Sequence, residues 1–308
     1  DMPVEAHASV WVGNLVTDYI RQRAWDGEPF LMWASFPDPH HPFCPPAPYD
    51  TMYDQDEVVM PRLGPEALAD KPEYYRRAYE GGQQWEGIMD YYDLKSITEA
   101  QLREIISRTY GMVTLMDENL GRILAALDKT GLADNTIVIF TSDHGDLMGD
   151  CGLVFKGQFL LEGLINVPMI WRVPGVRPHA TQALINSSDI VPTLLDMLGV
   201  EIGRSIDGVS QRQAIESGAP VRHAAFVEMK SAYHPEMNLR TVVTADRKLT
   251  YYAGLDCGEL YDLTADVPEA RNLYDEVAYV ADRAEMEKLL LDGEIASHDE
   301  LFWPQSHS

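Results

Sequence analysis

Three short stretches hold residue types that could act together. Thr141-Ser142-Asp143-His144-Gly145-Asp146 follows directly on an apolar run, Thr136-Ile137-Val138-Ile139-Phe140-Thr141. Asp143 offers hard carboxylate oxygen and His144 a neutral ring nitrogen, a pair suited to a divalent cation that takes further oxygen ligands. In an open α/β sheet, ligands bind beyond the carboxyl ends of strands, which is where these residues would stand. Asp and Gly are also common turn residues, so the stretch taken alone reads as a plain strand-ending turn.

Pro39-His40-His41-Pro42 follows a second apolar run, Pro29 to Phe36. A histidine near neutral pH can give a proton to a departing oxygen, the demand in ester cleavage, and prolines on both sides restrict the backbone that carries it. Read alone, these are two surface histidines in a loop. Lys156 is a lone cation in Gly152-Leu153-Val154-Phe155-Lys156-Gly157, shortly after the acidic turn. A buried ammonium there would suit an anionic oxygen, whereas an ordinary lysine faces solvent. No P-loop, GxGxxG or HExxH is present, which removes the motif-based case for nucleotide binding or a zincin.

The elements that must position these residues alternate as in an α/β protein. A helix is expected over roughly Ala6 to Trp25, and a buried strand over Pro29 to Phe36, stopped by Pro37-Asp38-Pro39. From Thr98 to Lys129 the apolar residues Leu102, Ile105, Ile106, Val113, Leu120 and Ile123 recur at helical spacing, which predicts a long helix ended by Gly131. Thr136 to Thr141 has the continuous apolar character of a strand in a parallel sheet. Further strands are expected at Pro168 to Val173 and Ala183 to Ile185, with a helix from Asp189 to Leu198. Beyond them, His223 to Glu228, Arg240 to Thr244, Lys248 to Tyr252 and Glu259 to Leu263 predict an antiparallel sheet, followed by a helix from Val277 to Leu291. A boundary near Gly203 divides the chain into an α/β part, residues 1–203, and a smaller α+β part, residues 204–308.

The 308 residues include 24 basic and 49 acidic side chains, a net charge of −25, and are 45% hydrophobic, the composition of a folded chain with a full core. Such acidity argues against nucleic acid, which is held by clustered Lys and Arg, and against docking on an anionic membrane. No apolar run reaches the ~18 to 20 residues of a spanning helix. Cys44, Cys151 and Cys257 stand far apart with no CxxC pair, which predicts reduced thiols. The chain starts at Asp1 rather than Met, which predicts a processed or partial polypeptide.

Together the stretches resemble the sulfatase family of the alkaline-phosphatase-like superfamily. Phe30 to Pro42 is similar to the family's strand leading into a Pro-His-x-Pro element. Met116 to Asp150 is similar to its long helix, strand and metal loop, and Asp189-Ile190-Val191-Pro192-Thr193 to a later helix start. Glu259-Leu260-Tyr261-Asp262-Leu263, with Asp266, Glu269, Asn272 and Leu273, is similar to its closing segment. The resemblance implies an alkaline-phosphatase-like mixed α/β sheet flanked by helices, lacking its N-terminal part. It implies Asp143 and His144 as ligands of a divalent metal, calcium in most sulfatases, with manganese the alternative. It implies His40 as the acid for the leaving oxygen, Lys156 as a catalytic contact to the sulfate, and His41 as a substrate-binding neighbour.

The family's other pattern, Cys-x-Pro-x-Arg, whose Cys becomes a formylglycine nucleophile, is not matched. Cys44-Pro45-Pro46-Ala47-Pro48 has Pro in place of Arg. The resemblance therefore implies part of a metal-dependent sulfuric ester hydrolase, acting on a small anionic sulfate ester, with its formylglycine upstream of Asp1. The alternatives are a phosphonate monoester or phosphodiester hydrolase, or a non-catalytic protein that binds a sulfated ligand. A sheet without its first strand would expose an edge open to pairing with another copy of the chain.

Overall fold

The computed structural model describes residues 2–61, 65–80, 97–154, 156–203, 206–230, 237–266 and 268–297, so Phe155 of the Lys156 stretch and residues 204–205 at the expected boundary lie outside the described residues. Helix α1 (Ala8–Asp26) buries Val10, Gly13, Val16, Thr17 and Ile20, a stripe at three- and four-residue spacing, and ends at Gly27, whose φ of 71° few other residues adopt. After the short α2 (Glu73–Tyr79) comes α3 (Glu99–Thr130), opened by a capping box in which Thr98 and Gln101 satisfy each other's backbone amides. The two long helices pack along Val16, Ile20, Ile123, Ala126 and Leu127. Gly13 permits the close approach: a Cβ there would lie 2.4 Å from Asn119 Oδ1.

Strand β1 (Val138–Thr141) is followed by the one-turn α4 (Glu162–Ile165) and by β2 (Met169–Arg172), which pairs antiparallel with β1, Val138 opposite Arg172 and Thr141 opposite Met169. The expected parallel character of β1 is thus not what it shows with its partner, and all four residues are half-buried rather than buried. Two expected strands do not form. Pro29 to Phe36 carries no ladder among the described residues, and Leu31 and Trp33 are 90% and 83% exposed. An apolar run becomes a strand only when a neighbour takes its N–H and C=O groups. Here one side of the run packs instead, with Met32 and Phe36 against the α1–α3 seam. At Ala183 to Ile185 local side chains take the place of a ladder: Ala183 N donates to Thr181 Oγ1 and Asn186 N to Asp189 Oδ2.

Helices α5 (Ile190–Met197) and α6 (Arg212–Ser217) lead into a four-stranded antiparallel sheet, β3 (Ala225–Lys230), β4 (Asn238–Val243), β5 (Arg247–Tyr252) and β6 (Gly258–Asp262), in sequence order. Helix α7 (Val280–Ala296) covers one face through Val242, Leu249, Leu260, Met286 and Leu290. The other face, which alternation gives to Leu239 and Tyr252, packs against Tyr75, Leu153, Phe159 and Leu164 of the α/β part. The two parts share this core. The fold is α/β with an antiparallel C-terminal sheet.

Candidate active site

The Asp143-His144 turn begins where β1 ends. Ser142 Oγ donates to His144 O at 2.8 Å, and His144 N donates to Asp143 Oδ1 at 3.0 Å, so short polar side chains shape the turn locally. Gly145 is required by a close approach: its N–H donates to Leu164 O at 2.8 Å, and a Cβ would lie 1.8 Å from Gly163 O. Asp146 Oδ1 accepts from Met148 N at 3.0 Å and closes the loop.

The result is a pair of donors aimed at one place. His144 Nδ1 donates to Gly145 O at 2.7 Å, which assigns the ring proton to Nδ1 and leaves a lone pair on Nε2. That Nε2 lies 3.7 Å from Asp143 Oδ2, close to the ~3 to 3.5 Å expected of two donors each ~2.0 to 2.5 Å from one cation. The Asp143 side chain is 86% exposed and therefore accessible to an ion. Burial pushes its carboxyl up, but the His144 charge, backbone N–H groups and the Lys156 charge outweigh this and hold it below the usual range. Among the described residues no set of three His, Cys, Asp or Glu side chains is grouped to hold a metal ion; the turn supplies one carboxylate and one imidazole.

The histidine loop is anchored at both sides. Ser9 Oγ at the start of α1 donates to Asp38 Oδ2 at 2.5 Å, and beyond the histidines Phe43 is buried against Leu102 and Ile106 of α3. His40 and His41 stack at 4.0 Å between ring centroids, and His40 Nδ1 donates to His41 O at 2.8 Å, which leaves His40 Nε2 pointing away from its own backbone. His41 is pushed below its ordinary value by desolvation first, then by the His40 and Lys156 charges. Lys156 is exposed rather than buried, and its charge acts on both Asp143 and His41.

The sulfatase family model matches residues 11–200, well over half of the chain. The chain belongs to the sulfatase family. Residues 149–295 also match the model described as N-sulphoglucosamine sulphohydrolase, C-terminal. The chain is similar to the multifunctional alkaline phosphatase superfamily protein PehA of Trinickia caryophylli, 30% identical across 91% of this chain and 58% of that protein. It is similar to an arylsulfatase of Clostridium perfringens at 30% identity, across 89% of this chain and 55% of that one. The fold is alkaline-phosphatase-like: a phosphonate monoester hydrolase from Silicibacter pomeroyi superposes with a TM-score of 0.85 at 24% identity, over 97% of this chain and 62% of that one. The phosphonate monoester hydrolase of Agrobacterium radiobacter gives 0.78 at 27%, over 98% and 63%. The chain thus spans about three fifths of the length of these relatives.

Reading the sequence brought out the reactive side chains but not those that hold them. Gly145 and Gly163 stood in sequence as ordinary glycines, Asp38 as part of a Pro-Asp-Pro stop, and Glu269 as one acid in the closing segment. Gly145 carried a local signal, a glycine directly after the donor pair. The contacts of Asp38 and Glu269 are across 29 and 107 residues and left none.

Proposed function

We propose that this chain carries the leaving-group and part of the cation machinery of a sulfuric ester hydrolase whose substrate is a small sulfate ester. The observation that supports it is the convergence of Asp143 Oδ2 and His144 Nε2, with Lys156 acting electrostatically on Asp143 and His41 alike. Asp143 and His144 would hold a divalent cation, which when bound withdraws charge from the sulfate oxygens. Lys156 attracts and orients the sulfate, counteracting the repulsion of a chain with a net charge of −25. As the doubly protonated imidazolium, His40 gives its Nε2 proton to the departing oxygen and is left neutral, while Nδ1–H stays bonded to the His41 carbonyl and fixes the ring. His41, depressed by desolvation and by its cationic neighbours, stays neutral near pH 7 and packs beneath His40. The nucleophile, a formylglycine in this reading, comes from outside these 308 residues. The division into residues 1–203 and 204–308 belongs to the same proposal.

The test is a leaving-group series in the longer protein that contains this chain. Substituting His40→Ala should cost ~10²- to 10⁴-fold on sulfate esters with poor leaving groups and far less on activated aryl esters. Equal losses on both remove His40 from the acid role. A phosphonate monoester hydrolase is the second reading, favoured by the similarity to the 27% identical Agrobacterium radiobacter structure. Comparing kcat/KM for matched sulfate and phosphonate esters, with each cation, decides between them.

A further inference from the structure

The turn that carries Asp143 and His144 rests on α4, and α4 rests on a carboxylate from the far end of the chain. Gly145 N donates to Leu164 O at 2.8 Å, and Gly145 and Gly163 are in backbone contact. At the other end of α4, the N–H of Glu162 donates to Oε2 of Glu269 at 2.7 Å. Glu269 is 2% exposed, and its other oxygen pairs with Nζ of the fully buried Lys248. Lys248 also donates to Leu160 O at 2.8 Å, immediately before α4. Lys71 Nζ donates to the Glu269 carbonyl at 2.6 Å. Glu269 sits at φ 53°, a region that costs a non-glycine residue about 1 kcal/mol or more and is kept only where surrounding contacts dictate it.

Stability alone does not explain this arrangement. A buried ion pair is commonly matched or exceeded in stability by apolar side chains of the same shape, because both charges lose their hydration. What the pair provides and a leucine cannot is an acceptor held at one point, to which the first amide of α4 is fixed.

We infer that Glu269, held by Lys248, is a positioning residue for the Asp143-His144 turn, acting through the Glu162 amide, α4 and the Gly145-to-Leu164 bond. The inference rests on the reading of Asp143 and His144 as cation ligands. Glu269→Gln alone leaves the buried ammonium only the more distant Glu162 carboxylate, 3.5 Å away, and endangers folding, so the comparison uses two double variants. Lys248→Met with Glu269→Gln removes both charges and keeps an acceptor for the Glu162 amide. Lys248→Met with Glu269→Leu removes both charges and the acceptor. Amide exchange at Gly145 is followed against the amides of β4 and β5, and each full chain is titrated calorimetrically with Ca²⁺ and with Mn²⁺.

The expected result is Gly145 exchange at least tenfold faster in the Leu variant than in the Gln variant, with β4 and β5 unchanged between them and cation affinity at least tenfold weaker. Glu269→Asp, which keeps the charge but retracts it by one methylene, should also speed Gly145 exchange. Equal exchange at Gly145 in the two double variants overturns the inference, as does faster exchange with unaltered affinity. If the unsubstituted chain takes up neither cation, the ligand reading falls, and the exchange comparison alone decides whether Glu269 positions the turn.

Discussion

Replacing Gly145 by alanine adds one methyl group at the tightest backbone approach near the site. The new Cβ would lie 1.8 Å from Gly163 O, whereas a carbon and a carbonyl oxygen in contact are ~3.3 Å apart or more, so something must move by about 1.5 Å. The neighbour is backbone, not the end of a flexible side chain. Gly145 is not among the glycines at positive φ, so alanine meets no conformational penalty and the cost arises from the clash. Overpacking typically costs ~1 to 3 kcal/mol, and loss of the 2.8 Å bond from Gly145 N to Leu164 O adds ~1 kcal/mol. The sum, ~2 to 4 kcal/mol, corresponds to a melting temperature lower by ~4 to 16 °C at ~2 to 4 °C per kcal/mol. If the turn holds the cation as proposed, a shift of ~1 Å should also cost ~10²-fold in the activity of a longer protein containing this chain. The assays are scanning calorimetry and cation titration of the chain, with Gly121→Ala as reference. Gly121 is a helical glycine whose Cβ would meet nothing within 4 Å, so alanine there should stabilise by ~1 kcal/mol. A Gly145→Ala chain that melts within a degree of wild type and binds cation equally well would refute the reasoning.

Other outcomes follow from the same geometry. His41 has its folded pKa lowered from 6.5, chiefly by desolvation, so in the window just below 6.5 the unfolded chain binds the proton first. Stability should therefore rise with pH up through that window and level off above about 6.5, and His41→Gln should flatten the slope in pH-dependent denaturant melts; an unchanged slope assigns it elsewhere. Asp189 is fully buried and accepts from Arg222, Asn186 N, Val209 N and Gln211 Nε2. Asp189→Ala leaves these donors unmatched and should cost ~3 to 5 kcal/mol in urea unfolding, and a loss under 1 kcal/mol would deny the cluster its structural role. The 308-residue chain assayed by itself should show no turnover of an aryl sulfate, and sustained hydrolysis would place the nucleophile within it.

Much of the fold is legible in the sequence. The three- and four-residue recurrence of Leu102, Ile106 and Ile123, with Thr98 at one end and Gly131 at the other, specifies α3 because periodicity, cap and stop are all local. The same holds for β1 and the polar turn after it. Pro29 to Phe36 marks the limit. Its apolar character is local, but a strand requires a hydrogen-bonding neighbour, and among the described residues none pairs with it.

Residue chemistry was therefore determined by the sequence alone: which side chains can ligate, donate a proton or attract an anion, and that the first two lie in turns beyond apolar runs. The tertiary structure decided what those groups face. It brought the charge of Lys156 to bear on residues 13 and 115 positions away, and left it in solvent rather than buried. It pressed Gly145 onto Gly163 and brought Glu269 to the amide of Glu162. Such contacts depend on how whole elements dock, and docking is set by the summed burial of many side chains, so no single stretch of sequence records it.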